Sequence, residues 1–411
     1  MKTCCIFPRQ LRIGTVPIAL IVGHVSPVYG QELPLQAAQH RDENGEQARR
    51  SQKAVTVTLT YTSDTNADVD GGGRRGTAYL QRLGAIADAD FEQLVAWRGA
   101  TFHGSMQAIQ GTGLSTSRVD NLLTVSGIEA APALRMFNLW VEQKLGGAAS
   151  VRVGQFTAGQ EFAIAPTANF FVNSSFGWPG SFALDLPGGG PSYPIAVPAV
   201  RLAASGAAGR TTFRTALFAA NPTGRDRRGL AGWRFRGKPL AIAEFVRSAG
   251  GKDPAWTVVA GGWWNFAPAA DLRLPAGTSH SANRAVYLIG DVRIRPKLRG
   301  FVRLTLAPED RNPVARYLDA GITAKGLLKA RPDDILGLAV ATAWIAPALR
   351  PNASGAELAF EASYQLAVHG TLSLQPNVQW IVHPVSPDAL AGPAPRQGNA
   401  LVIGLRTALR L

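Results

Sequence analysis

ELAFEASYQLAVHGTLSLQPNVQWIV, from Glu357 to Val382, separates residue by residue into two faces. Leu358, Phe360, Ala362, Tyr364, Leu366 and Val368 fall opposite Glu361, Ser363 and Gln365. Past Gly370 the pattern restarts, with Leu372, Leu374, Val378, Trp380 and Val382 opposite Thr371, Ser373, Gln375, Asn377 and Gln379. A period of two is that of an extended chain, whose successive side chains point to opposite sides, so this stretch predicts two strands and a turn. Each run is about ten residues long, the length that crosses a bilayer at a tilt of about 45°.

The same signature recurs outward from this pair. At the C-terminus Leu401, Ile403, Leu405, Leu409 and Leu411 oppose Gly404, Arg406 and Arg410; near the other end Val55, Val57, Leu59 and Tyr61 oppose Thr56, Thr58 and Thr60. Leu298, Val302, Leu304 and Leu306 likewise oppose Arg299, Arg303 and Thr305. About sixteen such runs fit between Val55 and Leu411, an even number as a closed antiparallel bacterial barrel requires. Two architectures share this pattern. A soluble sandwich hides the apolar faces in a common interior with shorter strands; a membrane barrel turns them to lipid and closes so that no backbone edge is left open. Trp256, Trp263, Trp264, Trp344 and Trp380 sit at strand ends, as interfacial girdles require.

Composition agrees with an all-β chain. With 44 Gly and 27 Pro in 411 residues, long helices are interrupted every few turns, and only 17% of the chain is charged. Lys2, Arg9 and Arg12 precede an apolar run from Ile13 to Val25 that ends in small residues, the order of a secretory signal. The expected organisation is a signal peptide over 1–30, a polar periplasmic leader over 31–53 and an outer-membrane barrel over 54–411. Cys4 and Cys5 are the only cysteines and leave with the signal. Its three cations reduce the formal net charge from +14 to +11. Lys and Arg are scattered, which argues for acidic lipid headgroups or polysaccharide, not nucleic acid.

Several strings resemble the carbohydrate-selective porin family of Gram-negative outer membranes. They are NLWVEQ (Asn138 to Gln143), VRVGQF (Val151 to Phe156), QEFAIAP (Gln160 to Pro166), NSSFGWP (Asn173 to Pro179) and GGPSYPIAVPAVRL (Gly189 to Leu202). Downstream, APEDRNPVARYLDAGITAKGLL from Ala307, RPDDILGLAVA from Arg331 and ALVIGLRT from Ala400 are similar to the family's late strands. The resemblance implies a sixteen-stranded outer-membrane barrel that admits monosaccharides and related sugars by passive diffusion. The chain departs from the family at two points. It ends on Leu411 where such barrels commonly end on an aromatic, and it reads QFTAG from Gln155 to Gly159 where the family tends to carry Lys, Asp and Asn.

Catalytic chemistry finds no support in the spacing. The six histidines show no metal-ligand pattern, and a nucleophile elbow, a phosphate-cradling loop and a zinc-protease motif are absent. No enzyme, metal or cofactor is expected. Channel chemistry is better served. By the alternation Arg293, Arg295, Arg299, Arg303, Arg406 and Glu361 face inward, as do Arg214 and Glu142, and guanidinium and carboxylate groups together donate to and accept from vicinal hydroxyls. The segment from Ala158 to Val197 holds five prolines and reads as an extracellular loop folded into the lumen. Trp178 within it offers an indole face to the C–H face of a pyranose, or packs the loop against the wall. The candidate substrate-path residues are thus Trp178, Glu142, Arg293, Arg299, Arg303, Glu361 and Arg406. The expected partners are sugars, outer-membrane lipid and lipopolysaccharide, and the barrel-assembly machinery, with the oligomeric state, monomer or trimer, left open. Two alternatives remain: an anion-preferring or general diffusion porin, and a secreted soluble polysaccharide-binding β protein.

Overall fold

The computed structural model describes residues 54–411 apart from 207–208, 220–227, 230–236, 252, 275–276 and 351–354. The signal and leader segments expected over 1–53 lie outside the described residues. Sixteen antiparallel strands, from Val55–Gly72 to Gly398–Arg410, form a closed barrel in which each strand pairs with its sequence neighbours and the last returns to the first. Closure runs from Thr60 opposite Arg410 to Gly72 opposite Gly398. Leu411 completes the seam, since its N–H donates to the Leu59 carbonyl and its own carbonyl accepts from the Leu59 N–H, both at 2.9 Å. The terminal residue is therefore held by its backbone, whatever its side chain.

The alternation read from the sequence is the alternation of faces. On the last strand Leu401, Ile403 and Leu405 are exposed, whereas Val402 and Arg406 are buried. Val286, Val302, Leu338 and Val378 continue the exposed apolar band around the barrel. A band of this extent has no partner within the protein, and hydrocarbon satisfies it. Trp256, Trp264, Trp344 and Trp380 lie on that outer face as expected, but Trp263 does not. Adjacent residues of a strand point oppositely, so Trp264 at the surface commits Trp263 to the interior, where its ring meets Phe182 at 6.1 Å.

Short turns such as 146–148, 296–297 and 370–371 connect strands at one end, and the long connections 112–132, 157–196 and 383–397 leave the other. In bacterial barrels the short turns are periplasmic and the long loops extracellular. Loop 157–196 is broken into short helical turns, among them Ser174–Gly177 and Gly180–Asp185, and it packs inside the ring of strands. Its Phe162, Phe171, Phe176 and Phe182 are fully buried against inward residues such as Phe218, Tyr287 and Phe301. Aromatic side chains on the inner wall are thus explained by the loop they hold.

Candidate functional site

Loop 157–196 is fastened to the wall by charged side chains that the strands aim inward. On Leu298–Leu306, Arg303 is fully enclosed: its Nε donates to Asp319 at 2.9 Å, Nη1 to the Ala163 carbonyl at 2.8 Å and Nη2 to the Ser175 carbonyl at 2.8 Å. Glu361, on Ala356–His369, accepts from the Val172 and Asn173 N–H groups, each at 2.8 Å. Asp291 accepts from the Thr167 N–H at 2.7 Å, and Glu244 from the Ala163 N–H at 3.1 Å. A buried backbone donor without a partner is costly, so each carboxylate fixes the height of the loop segment above it. Glu357 does the same for loop 112–132, accepting from Leu122 and Leu123 at 3.0 and 2.7 Å.

A second cluster ties the start of loop 157–196 to the wall through Glu161. Arg152 Nε donates to Glu142 at 2.9 Å, Arg201 bridges Glu142 and Glu161 at 3.0 Å each, and the Arg152 guanidinium lies 3.7 Å from the Trp140 ring centroid. Arg214 pairs with Glu244. Arg293 and Arg299 face each other across neighbouring strands near their periplasmic ends and share Asp253, at 2.8 and 2.7 Å.

Opposite the fastened side a cavity of about 260 Å³ lies between the two inward loops and the wall. Its wall residues are Arg82, Phe137 and Arg406; its loop residues include Glu129, Gln160, Trp178 and Tyr193. Arg406 is committed to Asp64, at 2.8 and 2.7 Å. Tyr193 donates its hydroxyl to the Ile128 carbonyl at 3.1 Å, and burial pushes that phenol up to about 12. Its ring carries the Arg82 guanidinium at 5.5 Å. Trp178 is half-buried: its Nε1 donates to the Gly189 carbonyl at 3.1 Å and its ring abuts Phe182 at 5.1 Å, yet part of it borders the cavity. Both readings of this indole therefore have a structural counterpart.

Of the candidates drawn from the sequence, only Trp178 and Arg406 meet at the cavity. Arg303 and Glu361 stand behind the loop, Glu142 sits in the cluster with Arg152, Arg201 and Glu161, and Arg293 and Arg299 pair with Asp253 near the periplasmic end. Sequence reasoning missed Arg82 because its strand blurs the two faces: Leu80 and Ile86 point inward with it, and Gln81 points outward. The GGPSYP string does contain Tyr193, but nothing in the string shows that its ring reaches the wall. Nor did spacing reveal that Asp271, His280 and Asp310 come within 4.8 Å of one another. Arg273 and Arg311 already hold those two carboxylates.

The architecture is shared with outer-membrane channels of known structure. The high-pH structure of Pseudomonas putida OprB superposes with a TM-score of 0.78 at 21% identity, covering 90% of this chain and 97% of that one. The channel DcaP of Acinetobacter baumannii gives 0.54 at 12% identity, covering 87% and 97%. At such identities the likeness is one of fold: a sixteen-stranded outer-membrane porin. The sequence narrows the class. Residues 74–411 match the carbohydrate-selective porin family, OprB, and Porin B of Pseudomonas aeruginosa is 21% identical over 422 residues, with 89% of each chain covered. The chain belongs to the carbohydrate-selective porin family and is a passive carbohydrate channel of the Gram-negative outer membrane.

Proposed function

We propose that sugars pass the fastened loop through the cavity beside Tyr193 and Trp178, and that monosaccharides are the size of solute it suits. The observation that carries this reading is the one-sided filling of the lumen. Beyond its root, where Gln160 and Glu161 meet Asn138, Arg152 and Arg201, loop 157–196 is bonded to strands from Glu244 round to Gln379, and space is left against Arg82, Phe137 and Arg406. A cavity of about 260 Å³ falls below the roughly 300–1,000 Å³ that encloses drug-sized ligands. In this reading Trp178 offers its exposed part to a sugar ring, and Arg406 lines the path. Arg293 and Arg299 meet the solute at the periplasmic exit, while Glu142, Arg303 and Glu361 act as positioning residues. The apolar outer band takes outer-membrane lipid, and segments 1–30 and 31–53 serve export and the periplasmic side.

Planar-bilayer recording tests this directly. Glucose should reduce the ion current reversibly, a disaccharide should do so less or enter more slowly, and Trp178→Ala should weaken glucose block severalfold, since an aromatic contact contributes about 0.5–1.5 kcal/mol. Heat-modifiable gel migration shows that the variant barrel is folded. Unchanged glucose block in a folded Trp178→Ala channel removes Trp178 from the path.

A further inference from the structure

The arginines that the strands turn inward are nearly all matched to acids, and the mismatch lies at the cavity. Arg303 has Asp319, Arg214 has Glu244, Arg406 has Asp64, and Arg152 and Arg201 share Glu142 and Glu161. Arg82 is different. Among the described residues no carboxylate stands within ion-pair distance of it and no acceptor takes its N–H groups; the guanidinium lies over the Tyr193 ring. Stacking of this kind uses the face of a guanidinium and leaves its edge, where the donors are, free. Glu129 is the one carboxylate in the cavity lining, and its oxygens are turned to the Ser115 and Thr116 N–H groups at 3.2 and 3.0 Å.

We propose that this channel favours monosaccharides bearing a carboxylate over their neutral counterparts, the carboxylate meeting the free edge of Arg82 beside Tyr193. This rests on the sugar path proposed above and specifies its substrate class. An unmatched guanidinium presents a planar pair of donors spaced for the two oxygens of a carboxylate, and one uncompensated positive charge is matched by one negative charge. The site remains hydrated and the contact exchangeable, as conduction requires, because Arg82 stands at the edge of the cavity and is not enclosed like Arg303.

The test compares glucuronate with glucose, which share a pyranose ring and differ at the carboxylate, with acetate as the charge without the ring. Single-channel current block is recorded on the full chain in planar bilayers at low and high salt. The expected result is block by glucuronate about tenfold tighter than by glucose at low salt, loss of most of that ratio in Arg82→Gln and Arg82→Leu, and little block by acetate. Equal block by the two sugars, or a ratio that survives both variants in channels with folded-barrel gel migration, overturns the Arg82 assignment and leaves the sugar path standing. Acetate block equal to that of glucuronate overturns it too, since the charge alone is then recognised. Absence of block by either sugar, with Trp178→Ala without effect, overturns the path itself and the preference with it.

Discussion

Arg303 and Arg82 are both inward arginines on barrel strands, and their surroundings have almost nothing in common. Arg303 is wholly enclosed, its donors divided between Asp319 and the carbonyls of loop 157–196. Arg82 borders a cavity and stacks on a single tyrosine. The contrast extends to the two sides of the lumen. From Glu244 to Gln379 the inner wall is a bed for the loop, and its charges are engaged by loop backbone groups and by one another; at Arg82, Phe137 and Arg406 the wall borders the cavity. Inward polarity in a barrel therefore has two meanings, attachment and passage, and alternation alone does not separate them.

The largest effect that would break this contrast belongs to Arg303. Replacing it by Met leaves Asp319 and several loop carbonyls unpaired inside the protein, and removing one member of a buried pair costs about 3–5 kcal/mol. Arg303→Met should lower the unfolding midpoint in denaturant titration and raise single-channel conductance as the loop loosens. A stable variant of unaltered conductance would mean the loop is held by its phenylalanines alone. Glu361→Ala is the next step down. It deprives the Val172 and Asn173 N–H groups of their acceptor, a loss of about 1–3 kcal/mol that should show as increased open-channel noise at nearly unchanged barrel stability.

On the open side, Asp64→Asn sharpens the comparison by converting a matched arginine into an unmatched one. Arg406 would then join Arg82 as free positive charge beside the cavity, and the reversal potential in a salt gradient should shift toward anions. The shift should shrink as ionic strength rises, because exposed charges are screened beyond about 10 Å at 0.1 M salt.

The smallest expected effect is that of pH on the loops. Burial holds the Glu129 carboxyl above its usual range, so its ionisation opposes the folded loop: stability there is greatest in acid and falls as pH rises through the raised value. Asp271 behaves oppositely. Hydrogen bonds from Arg273 hold it down at about 2, so its contribution is present above the ordinary carboxylate range and is lost only as pH falls through about 2. Limited proteolysis should therefore find loop 112–132 more protected at about pH 5 than at pH 7, with Glu129→Gln removing the difference. The contact of Asp271 with Arg273 should stay constant over that interval.

One residue shows how far alternation carries. The alternation predicts Gly404 inward, opposite Ile403, and it is inward; a glycine facing only water would tolerate a long side chain. In the folded barrel a Cβ there would meet Asn66 Oδ1 at 2.3 Å and Asn377 Nδ2 at 2.7 Å, so Gly404→Arg must displace both asparagines. The register told which face, and the neighbouring strands told what already occupied it. Trp263 teaches the same lesson, since its position beside Trp264 is sequence, but its partner Phe182 comes from a loop about eighty residues earlier.

What the sequence determined by itself was the barrel: strand number, the lipid face, the inward face, and the family whose strings it carries. These are local properties, set by a period of two and by a bilayer that accepts only closed sheets. What only the tertiary structure decided was the use of each inward charge. Arg82 and Arg303 look alike in the chain, and they differ because one loop, folded back across the lumen, encloses the second and meets the first only with the Tyr193 ring. That depends on contacts between residues more than a hundred positions apart, such as Arg303 with Ala163, which no local pattern encodes.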